Sequence, residues 1–171
     1  MTTDRRSFLL TAGAATLATA GAALLRPLSS SQALAAETFE VVKTEEEWRK
    51  LLSPAAFKVL RKQDTEYPGT SALLNEHRKG QFACAGCDLA LYDASTKYES
   101  GTGWPSFFDH LPNAVSTAKD SLLGYTRDEV HCRRCGGHLG HVFNDGPKPT
   151  GLRYCMNGVA LTFHPAANQG A

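Results

Sequence analysis

The chain carries no surplus of either charge, with 18 Lys and Arg against 17 Asp and Glu over 171 residues. Near-neutrality removes the basic field that nucleic-acid binding requires, so nucleic acid is not an expected partner. Beyond Leu25 no long apolar run occurs, which leaves no second candidate for a membrane span. No internal repeat and no low-complexity tract follows the N-terminal region, so solenoid and array architectures are set aside. Cysteine is limited to five residues. A chain of this length buries a sizeable core without disulfide staples, so those five are free for other work.

The first residues do have a character of their own. Asp4-Arg5-Arg6-Ser7-Phe8-Leu9-Leu10 leads into a mildly apolar stretch up to Leu25 that is rich in Ala, Gly and Thr. This is the pattern of a twin-arginine export signal. Ala33-Leu34-Ala35 offers small residues at the spacing a signal peptidase accepts, so cleavage is expected after Ala35. An uncleaved anchor is the alternative, because Phe8 to Leu25 is 18 residues long, but its Gly and Thr content makes it weakly hydrophobic. The expected organisation is a signal peptide over 1–35 and one domain over 36–171. The mature chain keeps 15 basic and 16 acidic residues and is expected in the periplasm as a monomer, without stable membrane insertion.

Thr44-Glu45-Glu46-Glu47 has the form of a capping box, with Trp48, Leu51 and Leu52 at helical spacing behind it. Ser53-Pro54 reads as a cap and a proline at the first position of a second helix that buries Phe57, Val59 and Leu60. Tyr67-Pro68-Gly69-Thr70 reads as a turn. From Gly80 onward, short runs of aromatic and β-branched residues alternate with Gly, Asp, Asn and Pro. Strands are expected at 82–84, 89–92, 114–117, 129–132, 138–143 and 153–163. No helix-length pattern separates them, which favours antiparallel pairing. The expected fold is mainly β, of the α+β class: short N-terminal helices on small antiparallel sheets.

Four of the cysteines form two pairs, Cys84-Ala85-Gly86-Cys87 and Cys132-Arg133-Arg134-Cys135. Two intervening residues allow a tight turn to bring both sulfurs to one point, so each pair can grip one side of a tetrahedral Zn2+. The 44 residues between the pairs would make this metal a tie between distant segments. Four thiolates leave no open position for water or substrate, so the zinc would be structural. Two disulfides are the competing reading for an exported protein. A protein exported already folded can load zinc in the reducing cytosol first. A redox pair of thioredoxin type is disfavoured because neither pair sits in a strand-to-helix βαβ setting.

The fifth cysteine lies in Arg153-Tyr154-Cys155-Met156-Asn157. In a strand Arg153, Cys155 and Asn157 share one face, and Tyr154 and Met156 share the other. A guanidinium beside a thiol favours the nucleophilic thiolate, whereas a buried structural cysteine is the plain alternative. Trp104, between Gly103 and Pro105, is expected on a loop. His138 and His141 are three apart and would face opposite ways in a regular strand. A bulge, tolerated at Gly140, would let both serve one site. Histidine is the side chain best suited to donate a proton near neutral pH.

Taken in order, Cys84-x-x-Cys87, Gly103-Trp104-Pro105-Ser106-Phe107, Cys132-x-x-Cys135, His138-Leu139-Gly140-His141-Val142-Phe143, Asp145-Gly146-Pro147 and Arg153-Tyr154-Cys155-x-Asn157 resemble the B-type methionine sulfoxide reductases, from about Phe39 to Pro165. The resemblance implies reduction of the R-sulfoxide epimer of methionine in peptides and proteins. It implies that Cys155 is the nucleophile, that Trp104 meets the methyl group on sulfur, and that His138, His141 and Asn157 surround the sulfoxide oxygen. Arg153 would support the thiolate and Asp145 would assist. Many relatives place a resolving cysteine where this chain has Thr102, so a thioredoxin-like protein or a small thiol is the expected reductant. A second departure, Gly158-Val159 where relatives often have Ser-Ala, falls just past the site. The rival class is a non-enzymatic exported zinc-binding or disulfide-stabilised binding module in which Cys155 is merely buried.

Overall fold

At the first helix the Thr44 hydroxyl accepts from the Glu47 N–H while the Glu47 carboxylate accepts from the Thr44 N–H, which completes the expected capping box over α1 (Glu45–Leu51). Ser53 caps α2 (Pro54–Lys62), whose Ala56, Phe57, Val59 and Leu60 are buried, as is Trp48 of α1. The computed structural model describes residues 38–121 and 124–167, so the expected export signal and its cleavage site lie outside the described residues.

Two antiparallel sheets follow, as the sequence pattern predicts. One runs in the order β2 (Ala90–Asp93), β1 (Gly80–Cys84), β9 (Leu161–Pro165). The other runs β3 (Lys97–Tyr98), β4 (Ser106–Phe107), β8 (Arg153–Met156), β7 (His138–Phe143), β6 (Arg127–Cys132), β5 (Val115–Asp120). Aromatic residues pack between them: Tyr92 stacks on Phe107 at 4.3 Å, Phe82 meets Phe107 edge-on at 5.0 Å, and the Tyr92 hydroxyl donates to the Met156 sulfur at 3.0 Å. Among the described residues no helix is long and apolar enough to cross a membrane.

One expectation fails in an instructive way. The single strand expected over 153–163 is two strands in different sheets, broken by Asn157 and a 3-10 turn at Gly158–Ala160. The cause lies in the segment before β1. The Glu66 carboxylate accepts from the Gly158 N–H at 2.6 Å, and the Asn157 side-chain oxygen accepts from the Glu66 N–H at 2.8 Å. Ser71 occupies the space beside Gly158 so fully that a Cβ there would lie 1.7 Å from its hydroxyl oxygen. These contacts draw the backbone out of the larger sheet. The apolar face formed by Val159, Leu161 and Phe163 is therefore not a continuation of the Cys155 strand.

The two-residue strands β3 and β4 were not expected, since neither run is long enough to show a period. They seat β8 between two neighbours. Cys155 is opposite Ser106 of β4 on one side and His141 of β7 on the other.

Candidate active site

The two cysteine pairs stand at the ends of β1 and β6, one in each sheet. Tight turns close both, with the Asp88 N–H on the Cys84 carbonyl and the Gly136 N–H on the Cys132 carbonyl, each at 2.8 Å. The four sulfurs lie within 4.8 Å of one another, with Cys84 at 3.7 Å from Cys135 and Cys87 at 3.5 Å from Cys132. A tetrahedral zinc with bonds of about 2.3 Å has sulfur–sulfur edges of about 3.8 Å, so the group fits the ion. No disulfide joins any of the four. Arg61 of α2 donates through both terminal nitrogens to the Cys135 carbonyl and lies 4.6 Å over the Trp48 ring, so the helices cover this junction.

Cys155 lies elsewhere, on the larger sheet. It is half-buried and opens into a cavity of about 110 Å³ that Trp104, Arg127, His141 and Asn157 also line. Its neighbours Tyr154 and Met156 are buried on the opposite face, as strand alternation requires. Gly140 permits the close approach of β7: a Cβ there would fall 2.1 Å from the Cys155 carbonyl oxygen.

The histidine spacing is resolved by a bulge, one residue from Gly140. Val130 pairs with Gly140 and His131 with His138, which leaves Leu139 unmatched. The two imidazoles come within 5.4 Å of each other. His141 lines the cavity, and its Nε2 lies 2.8 Å from the Asp120 carboxylate, which also pairs with Arg127. Burial holds His141 below its ordinary value; the Asp120 hydrogen bond opposes this, while Arg127 and His138 add to it. His138 sits behind, its Nδ1 2.7 Å from Glu129 and its Nε2 buried without a hydrogen-bond partner. The His138 hydrogen bond holds the Glu129 carboxyl below the usual carboxylate range, against the opposing effect of burial.

Asn157 is held at both ends of its amide, accepting from Glu66 and donating to the Leu139 carbonyl at 3.0 Å. One N–H of the amide is left over. Trp104 donates its indole N–H to the Glu66 carbonyl at 2.8 Å, which fixes the ring at the cavity wall. Arg153 forks onto Asp145 with two bonds of 2.8 Å and lies 4.3 Å over Phe143. Asp145 raises the affinity of Arg153 for its proton, against burial, and the nearby Cys155 adds to the effect. Glu66, Asp120, Arg127 and Glu129 stand in no motif of the sequence. Glu129 opens the strand expected over 129–132, whereas Arg127 belongs to the two residues by which β6 extends beyond it.

The SelR domain profile matches residues 52–165. The chain is 50% identical over 126 residues to the peptide methionine sulfoxide reductase MsrB of Leptospira interrogans, a match covering 73% of this chain and 96% of that protein. It is 50% identical over 129 residues to the MsrB of Leifsonia xyli, covering 74% and 93%. It is also 50% identical over 124 residues to the MsrB of Methanosarcina barkeri, covering 72% and 87%. With this extent of identity, and with the cysteine pairs and the Cys155 strand folded as described, the chain belongs to the SelR-domain family of MsrB proteins.

Proposed function

We propose that the protein reduces methionine sulfoxide in peptides and proteins, taking the R epimer at sulfur, with Cys155 as the nucleophile. The observation that carries this reading is the convergence of Cys155, His141 and Trp104 on one small cavity in a chain of this family. Cys84, Cys87, Cys132 and Cys135 would hold a zinc ion, which would cross-link the two sheets and, with four thiolates closing its coordination, leave no position for substrate.

The chemistry balances within the site. His141 takes the Cys155 proton and passes it to the sulfoxide oxygen, which makes the sulfoxide sulfur electrophilic. The thiolate attacks that sulfur and forms a sulfur–sulfur bond to it; the hydroxyl then moves from the substrate sulfur to Cys155 Sγ as the sulfur–sulfur bond breaks, and methionine leaves reduced by two electrons. Oxygen and proton remain on Cys155 as a sulfenic acid. The indole of Trp104 receives the substrate methyl group. The remaining Asn157 N–H and His138, behind His141, order the oxygen side. Arg153, steadied by Asp145, favours the thiolate through its field, and no hydrogen bond joins the two among the described residues.

Recycling is external. Position 102 is threonine, with Oγ1 3.7 Å from Cys155 Sγ, and the other four cysteines belong to the metal junction. A thioredoxin-like dithiol or a small thiol displaces the sulfenic oxygen as water, forming a mixed disulfide that a second thiol resolves. The Arg5-Arg6 signal and Ala33-Leu34-Ala35 support export by the twin-arginine route and repair of oxidised exported proteins in the periplasm, by a monomer. Substrate added without reductant, followed by a sulfenic-acid trap, gives one adduct at Cys155. A disulfide from Cys155 to another cysteine of the chain would contradict the external step.

A further inference from the structure

Three hydroxyls form a line ending on the nucleophile. Ser106 Oγ lies 3.1 Å from the Trp104 carbonyl oxygen and 2.7 Å from Ser100 Oγ. Ser100 Oγ lies 2.8 Å from Thr102 Oγ1 and accepts from the Thr102 N–H at 3.4 Å. Thr102 Oγ1 lies 3.7 Å from Cys155 Sγ. Ser106 is fully buried and directly opposite Cys155 across the β4–β8 ladder, so the line is built into the sheet.

The far end fixes its direction. Each hydroxyl has one hydrogen and two lone pairs, and a carbonyl oxygen can only accept. Ser106 therefore donates to Trp104, which leaves Ser100 to donate to Ser106 and Thr102 to donate to Ser100. Ser100 then has both lone pairs filled, by the Thr102 hydroxyl and the Thr102 N–H. Thr102 has no hydrogen left for sulfur and offers it a lone pair, so the Cys155 S–H is the donor. Reversing the line to point the Thr102 hydrogen at a thiolate makes one bond fewer, because the Trp104 carbonyl loses Ser106.

We infer that Thr102, ordered by Ser100 and Ser106, is a positioning residue that holds Cys155 at rest as a neutral, hydrogen-donating thiol. The inference rests on Cys155 being the nucleophile. A resting thiol keeps the proton that the sulfoxide oxygen must receive, and His141, opposite Cys155 on the β7 side, withdraws it when substrate is in place. It is also a poorer target for peroxide than a thiolate, which suits an oxidising compartment. Arg153 on the same strand face acts in the opposite sense, moderated by its fork onto Asp145.

The test uses the full chain and no turnover. Thr102→Val keeps the shape and removes the acceptor. The thiolate ultraviolet absorbance, taken as a difference from Cys155→Ser, should rise, and alkylation of Cys155 by iodoacetamide should quicken about fivefold, the factor one hydrogen bond carries. Thr102→Ser should leave both at the parent level. Ser100→Ala frees the Thr102 hydrogen to turn toward sulfur and should also raise the absorbance, which carries the test if the valine variant does not fold. Unchanged or lower absorbance in Thr102→Val or Ser100→Ala, or an equal rise in Thr102→Ser, would overturn the inference. Because these are measurements on resting enzyme, such a failure leaves the reductase reading intact.

Discussion

His141 and Asp120 form a carboxylate–imidazole pair, Oδ2 to Nε2 at 2.8 Å, across the three strands β5, β6 and β7. With Nε2 taken, Nδ1 is the nitrogen left to exchange a proton with substrate or Cys155. The groups around the imidazole are Asp120, Arg127, Glu129 and His138, with Cys155 on the opposite strand.

Asp120→Asn should lower kcat by about 100-fold, the lower end of what a positioned acid–base group contributes, since the charge that orients His141 is lost. Its hydrogen bond is the main influence raising the proton affinity of His141, against burial, Arg127 and His138. Without it the imidazole stays neutral to lower pH, so the acid limb of the kcat profile should move down. A parent-like kcat with an unmoved limb would count against the pair.

Gly140→Ala places a methyl group 2.1 Å from the Cys155 carbonyl oxygen. Backbone cannot rotate away as a side chain can, so β7 and β8 must separate. A loss near the upper end of the overpacking range, about 3 kcal/mol, is expected in denaturant unfolding, together with loss of activity.

Glu66→Ala leaves the buried Gly158 N–H without its acceptor, at a cost of about 1–3 kcal/mol. At about 4 °C per kcal/mol for a domain of this size, thermal unfolding should drop by roughly 4–12 °C. Glu66→Gln keeps an oxygen in place and should recover most of the loss. An alanine variant with the parent's midpoint would show that Glu66 is not the tie.

Zinc removal should cost more than any of these, because the metal joins strand ends of different sheets. One zinc per chain is expected by elemental analysis. A strong chelator under mild denaturant should release it together with cooperative unfolding. Release of zinc with the unfolding midpoint unchanged would contradict a structural role.

Much of this is legible in the sequence. The capping box at Thr44, the Ser53-Pro54 start, the paired cysteines and the outward face of Arg153 and Cys155 follow from local rules, and the structure has all of them. The break at Asn157 was not legible, because its cause is Glu66, 91 positions earlier, and no local pattern announces a carboxylate that will cap a distant backbone. Asp120 and Glu129 are silent in the sequence for the same reason: the role of each comes from a histidine on another strand. The His138–His141 spacing leaves a bulge at Gly140 as one of two readings, the other being one catalytic and one structural histidine; the bulge at Leu139 depends on the register with β6.

The central claim is tested most directly by turnover of R- against S-methionine sulfoxide in a peptide, with a dithiol reductant, by the parent protein and by Cys155→Ser. The account predicts reduction of the R epimer by the parent, none of the S epimer, and none of either by the serine variant. Equal turnover by parent and variant would contradict it.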